Sequence, residues 1–130
     1  MPGQAGGNLI TLPASADLSA SQFCAVKVDS NGQVALAQGN AAIPDQIIGI
    51  LQNKPAAAGR PAVIQTNGVS KAKAGGALAT IGVKVSSTAA GELVAAVTTD
   101  IIVGVLLTAA GADNDIVDVV IQIGEVTVMS

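Results

Sequence analysis

The 130-residue chain has no histidine, no tryptophan and no tyrosine, and it holds one phenylalanine, Phe23, and one cysteine, Cys24. Each absence removes a class of chemistry. Without histidine there is no imidazole to act as a general base or to activate a serine or cysteine nucleophile. A lone cysteine forms no disulfide within the chain, and without histidine it assembles no Cys/His zinc centre. One aromatic side chain gives no platform on which successive bases could stack. Charge is scarce as well, at 12% of residues, and six Lys/Arg stand against nine Asp/Glu for a net charge of −3. The sequence pI near 4.5 offers nothing to a nucleic acid. The expectation is a protein that is not an enzyme, with no cofactor, no metal and no nucleic-acid partner.

The charge that is present is unevenly placed. Residues 1–84 carry all six bases and three acids, whereas residues 85–130 carry six acids and no base. A dipolar chain of this kind suits head-to-tail contact between copies or contact with a charged partner. The N-terminal Met1–Asn8 segment has neither the basic start nor the continuous apolar stretch of a secretory signal. The longest apolar run, Ile101 to Ala112, is too short for a membrane-spanning helix, which needs roughly 20 residues. A soluble chain made in a cytosol-like compartment is expected, with no membrane partner.

What the chain does have is β-branched residues. Valine and isoleucine number 16 and 12, against nine leucines. Such side chains are stiff in a helix and fit a pleated surface. Residues 1–22 are rich in Gly, Ala and Ser, with an apolar cluster at Leu9, Ile10 and Leu12 before Pro13. They read as an extended N-terminal arm, with one helical turn at most around Asp17–Ala20. From Phe23 onward short apolar segments alternate with turn signals, of which Asp29-Ser30-Asn31-Gly32 is the clearest hairpin turn. Strands are expected at Phe23–Val28, Gln33–Ala37, Ile47–Gln52, Ala62–Thr66, Val69–Lys73, Leu78–Ser86, Leu93–Val97, Ile101–Leu107 and Ile116–Val128. Many short strands at this spacing define an all-β fold, a small β-barrel or sandwich over residues 23–130. Val26, Val28, Ile64, Val83, Val85, Val119, Ile121 and Ile123 are the expected core.

An internal repeat runs through this domain. Val26-Lys27-Val28 recurs as Val83-Lys84-Val85, Gly49-Ile50-Leu51 as Gly104-Val105-Leu106, and Val63-Ile64-Gln65 as Val120-Ile121-Gln122. The spacing predicts a pseudo-duplication over about 24–73 and 81–128. It aligns Cys24 with Ile81 and makes the thiol a small core residue. In the last strand the apolar face changes phase at Gly124, which reads as a bulge, and Asn67-Gly68 falls at the matching place in the first copy.

Few side chains assemble into chemistry. Asp113-Asn114-Asp115 with Asp118 lacks the spacing of a calcium loop and reads as a hairpin turn, as does Asp100. Lys71 and Lys73 invite comparison with the modified lysine of a lipoyl or biotinyl carrier domain. They fall inside a strand-like stretch, however, and not at a hairpin tip. No glycine-rich segment leads into Lys-Ser/Thr and a helix, so no phosphate loop is present.

Read as a whole, Phe23 to Ile123 resembles the tailed-phage head decoration proteins, also called capsid cement proteins. The resemblance rests on Gly49-Ile50-Leu51, the Ala56–Val63 turn and strand, Gly68–Leu78, Ile102–Leu106 with Ala109–Asp113, and Val117–Ile121. Ala79-Thr80 stands where that family has an aromatic residue. The resemblance implies a homotrimer, made in the host cytoplasm, that sits on the outer surface of the virion. There it would bind the major capsid protein and stabilise contacts between its subunits. Within that role the arm residues Asn8, Leu9, Ile10 and Leu12 are the candidate capsid contacts. The alternative is a structural β subunit of another assembly, such as a phage tail or a surface layer.

Overall fold

The computed structural model describes residues 8–97 and 99–125. The first seven residues of the arm, and Val126 and Val128, lie outside the described residues. Ten strands follow one another: β1 (Leu9–Pro13), β2 (Ala25–Val28), β3 (Val34–Leu36), β4 (Gly49–Leu51), β5 (Pro61–Gln65), β6 (Gly68–Lys73), β7 (Lys84–Ser87), β8 (Leu93–Ala95), β9 (Ile101–Leu106) and β10 (Ile116–Glu125). No helix occurs among the described residues, and Asp17–Ala20 forms a turn in which the Asp17 carboxylate accepts the Ser19 N–H and hydroxyl. The strands form two antiparallel five-stranded sheets, a sandwich-like arrangement and not a closed barrel. Their orders are β1-β5-β4-β2-β3 and β6-β10-β9-β7-β8.

The two orders are the same pattern written twice, and so is much of the hydrogen bonding. Asp29 N–H donates to Gln33 C=O and Gly32 N–H to Asp29 C=O, closing the β2–β3 turn. Thr88 to Glu92 and Gly91 to Thr88 repeat both bonds in the β7–β8 turn. Gly32 and Gly91 both hold a left-handed backbone, at φ +76° and +77°. Gly49 and Gly104 occupy matching close approaches, where a Cβ would collide with the Gln65 and Val120 carbonyl oxygens. Each first strand ends in a parallel bridge to its third, Ala14 to Val34 and Ala74 to Leu93.

This correspondence differs in register from the triplets read in the sequence. Val26 stands opposite Gly49, and Val85, not Val83, stands opposite Gly104. Ile64 and Leu51 pair as Val119 and Leu106 do, so Ile64 answers to Val119 and not to Ile121. Cys24 accordingly answers to Val83, and Ile81 is exposed. β7 continues past Val85 to Ser87, and the turn that follows is equal in length to the one after β2. Asn67-Gly68 is the link from β5 into β6 rather than a bulge. The bulge near Gly124 is present, as β10 slips by one residue against β9 between Ile121 and Gly124.

Two apolar clusters hold the sheets. One lies within the first sheet and includes Ala14, Val26, Val34, Leu51 and Ile64. The other fills the second sheet around Val85, Leu93, Val119 and Ile121 and takes in Ala25, Ala37, Ile47 and Ile50 from the first. Five expected core residues, Val26, Ile64, Val85, Val119 and Ile121, are buried. Val83 and Ile123 are half-buried against the second cluster. Val28 is exposed instead, because it closes β2 at the hairpin end, beyond the cover that shields Val26.

The described part of the arm is a strand of the first sheet. β1 runs along β5 from Leu9 opposite Gln65 to Pro13 opposite Pro61. Ala14 and Leu18 are buried in the first cluster. The entropy of ordering this stretch is met by the edge of β5, a template that composition alone does not reveal.

Candidate functional site

β1 carries Leu9, Ile10 and Leu12, and Asn8 immediately precedes it, so the structure brings all four candidate contact residues together on one sheet edge. Asn8 enters the strand with its N–H donating to Asn67 Oδ1 at 2.7 Å and its carbonyl accepting the Thr66 N–H at 3.0 Å. Leu9 and Ile10 are exposed, while Leu12 is half-buried and packs on the first cluster. Period-2 alternation puts Leu9 and Thr11 on one face and Ile10 and Leu12 on the other. The carbonyl of Asn8 and the N–H of Ala14 bond toward β5. Alternation therefore turns the backbone groups of Leu9 and Thr11 to the open side of the sheet. Pro13 adds no N–H there, a feature that limits indiscriminate edge pairing. Beside it Thr11, Leu12, Pro13, Gly59 and Pro61 line a shallow cavity of about 260 Å³.

Other groups singled out in the sequence are occupied structurally. Cys24 is buried, and burial pushes its thiol up to about 11, with Lys73 pulling the value down and Glu92 adding to the rise. It is a core residue with a suppressed thiolate. Lys71 lies mid-strand in β6 and reaches Asp118 of β10 at 3.6 Å across an exposed pair, a weak contact. Lys73 Nζ donates to the Ala20 carbonyl at 2.9 Å. Neither lysine stands at a hairpin tip. Asp115 Oδ2 accepts the Gly111 and Ala112 N–H groups, and Asn114 takes φ +70°, so Asp113–Asp115 is a self-bonded turn. Among the described residues no group of three or more His, Cys, Asp or Glu could hold a metal ion.

Sequence reasoning missed a pair of carboxylate clasps. Asp45 Oδ2 accepts the Gln38 N–H, and Asp45 N–H returns to the Gln38 carbonyl. Asp100 and Val97 make the same two bonds in the second half. The clasps close the β3–β4 and β8–β9 connections, and the first encloses a longer loop with Ile43 at its exposed tip. Burial pushes the Asp45 carboxyl up, but the Gln38 N–H and the hydrogen bond and charge of Lys27 outweigh it and hold the group below its ordinary value. The signal for this in the sequence was an aspartate placed four residues before each Gly-Ile/Val-Leu strand.

An all-β chain of two small sheets, with an open edge strand and many aliphatic side chains at its surface, is built as a structural protein that works by contact. It belongs to the phage cement protein family, whose model matches residues 4–121. No curated protein matches the sequence significantly. Cement proteins are structural components of the phage head that bind its capsid proteins, and the chain is a virion capsid protein of this kind.

Proposed function

We propose that the protein binds the outer surface of an assembled phage head as a homotrimer and stabilises contacts between neighbouring major capsid subunits. The family match over residues 4–121 is the observation that carries this reading. The open edge of β1 supports it, with Asn8, Leu9, Ile10 and Leu12 as the contact element. An edge strand with outward N–H and C=O groups accepts an extended partner segment, and alternate side chains give the contact its selectivity. The protein is synthesised in the host cytoplasm and added to the shell from outside. It makes no use of nucleic acid or membrane.

Adding purified protein to heads that lack it tests the proposal. Saturable binding at an icosahedrally sensible copy number, with raised resistance of the heads to heat, is the expected result. Binding should be lost on replacing Leu9 by Asp. Failure to bind heads, or equal binding to disassembled capsid subunits, would refute an outer-surface cement role.

A further inference from the structure

The two halves of the chain, residues 8–66 and 67–125, correspond strand by strand, yet they touch through different surfaces. The first half presents Phe23, Ala25, Gly39 and Gln52. The second receives them with Lys73, Gly91, Ser87 and Ser70. Lys73 N–H donates to the Phe23 carbonyl at 2.9 Å and Ala25 N–H to the Gly91 carbonyl at 2.8 Å. Gly39 N–H donates to Ser87 Oγ at 2.9 Å, and Gln52 Nε2 to Ser70 Oγ at 2.9 Å. A two-fold relation would repeat each bond with the roles exchanged. Among the described residues, those that would do so, Ile10, Pro13, Val28, Gly32, Gly82, Lys84 and Leu107, are solvent-exposed instead, so the junction is head-to-tail.

Each chain therefore keeps one unused copy of each surface. The register identifies them. Ser70 faces Val119 as Ile10 faces Ile64, so the unused receiving surface holds Ile10, and with it Pro13, Val28 and Gly32. Phe23 N–H donates to Leu51 C=O as Gly82 does to Leu106, and both residues have positive φ. The unused presenting surface thus holds Gly82 and Lys84. Gln52 N–H donates to Val63 C=O as Leu107 does to Asp118, which adds Leu107.

The chemistry of the two junctions changes in concert. The polar pair Gln52–Ser70 inside the chain corresponds to Leu107 and Ile10 on its surface, two aliphatic residues. Ser87 corresponds to Val28, and Gln22 and Gln38, which flank the junction, correspond to Ile81 and Val97. These five aliphatic side chains are 39%, 40%, 40%, 62% and 64% exposed for Leu107, Ile10, Val28, Ile81 and Val97, whereas Ser70 is 4% exposed and Ser87 fully buried. The cavities agree. A cleft of about 360 Å³ spans the internal junction, with Lys73 and Ile116 on one wall and Gln22 and Phe23 on the other. Pro13 and Pro61 correspond to Lys73 and Ile116 and line the open cavity beside β1, where the second wall is missing.

We propose that a second copy of this chain supplies that wall. The second half of one copy docks on the first half of the next, repeating between chains the junction that joins the halves within one, and the repeat closes into a ring. A trimer would then be a ring of six similar halves. Pro13 has no N–H, so the bond from Lys73 to Phe23 has no counterpart, and the seam between copies rests on aliphatic contact. Ile10, placed above in the capsid-contact element, and Pro13 then go to the neighbouring copy; Leu12 packs on the first cluster, and Asn8 and Leu9 remain for the capsid. The inference deepens the self-association proposed above. Its test uses no capsid, so its failure and that of the cement reading are separable.

Sedimentation velocity of the full chain and of the variants Ile10→Asp and Leu107→Asp decides it. Wild type should run as a closed trimer and each variant as a folded monomer with an unchanged β-sheet circular dichroism spectrum. An equimolar mixture of the two variants should give a one-to-one dimer that grows no further, because only one competent seam can form. If either aspartate disrupts folding, Ile10→Ser and Leu107→Gln, which install the residues of the internal junction, should weaken association by at least tenfold. A chain bearing both Ile10→Cys and Leu107→Cys should oxidise to a covalent ring, and chains carrying only one of the two substitutions beside the buried Cys24 should not cross-link. A monomeric wild type at all accessible concentrations, variants of unchanged size, a mixture that stays monomeric, or disulfide dimers of a chain carrying only one of the two substitutions would each overturn the proposal.

Discussion

Replacing Gly91 and Gly32 separately by alanine measures how much the junction between the halves contributes to folding. Both glycines have the same left-handed backbone, φ +77° and +76°, and the same turn hydrogen bonds. Any non-glycine residue at such a φ costs about 1–2 kcal/mol. For Gly32→Ala that is the whole cost, since a Cβ there meets nothing within 4 Å. At Gly91 a Cβ would lie 2.8 Å from the Ala25 carbonyl oxygen and 2.9 Å from the Cys24 Cβ. The first of these is backbone and cannot swing away, so the turn must retreat and stretch the 2.8 Å bond from Ala25 N–H to Gly91 C=O. Overpacking of this kind adds roughly 1–3 kcal/mol. Urea unfolding of both variants, at protein concentrations low enough to give monomer, should show Gly91→Ala less stable than Gly32→Ala by that increment. Equal destabilisation would mean that the halves are not pressed together at Gly91 and would refute the reasoning.

Further outcomes follow from particular side chains. Ile121→Ala should cost about 2–5 kcal/mol in the same assay, because it removes three carbons from a side chain buried in the second cluster. With its thiol pushed up to about 11, Cys24 should react with Ellman's reagent at pH near 8 only as the chain unfolds. The folded state holds that proton more tightly than the unfolded one, so the stability Cys24 contributes is complete below the thiol's ordinary value of 9.0 and is lost as pH rises toward about 11. Wild type should therefore lose more stability than Cys24→Ala over that alkaline range. Asp45 shows the opposite sign: its carboxyl lies below the ordinary 3.8, so its contribution is present above that value and disappears as pH falls through the folded one. Asp45→Ala should cost about 1 kcal/mol near neutral pH, and that cost should shrink on acidification as the carboxylate takes up its proton, by urea melts across the acid range.

The fold class was legible because its causes are local. β-Branched runs and the Asn31-Gly32 turn need only their own neighbours to declare a strand and a hairpin. The Gly49 and Gly104 match was legible for a steric reason, since each glycine lies against a carbonyl of the adjacent strand. The register was not. Val-Lys-Val at residues 26–28 and 83–85 is what alternation produces in any half-exposed strand, so the identity carried no positional information, and the true partner of Val26 lies two residues further on. The place of β1 was hidden for a different reason: a strand that completes an edge is specified by the sheet it joins, here Ile64 and Ala62, and not by its own composition. The aliphatic surface was hidden by the search for likeness itself. Val28, Ile81, Val97 and Leu107 stand out only where equivalent positions differ, and that comparison needs the ladder.

The link between β5 and β6 is only two residues, Thr66 and Asn67. So short a tether makes the meeting of the two halves unimolecular, at an effective concentration of order millimolar or above. Such a junction sacrifices almost no translational freedom and can be closed by a few amide and hydroxyl contacts. A seam between separate chains has no tether and must overcome several kcal/mol of lost translational and rotational entropy. Glutamine and serine inside the chain, with leucine and isoleucine at its surface, is the division of side chains that this difference in molecularity demands.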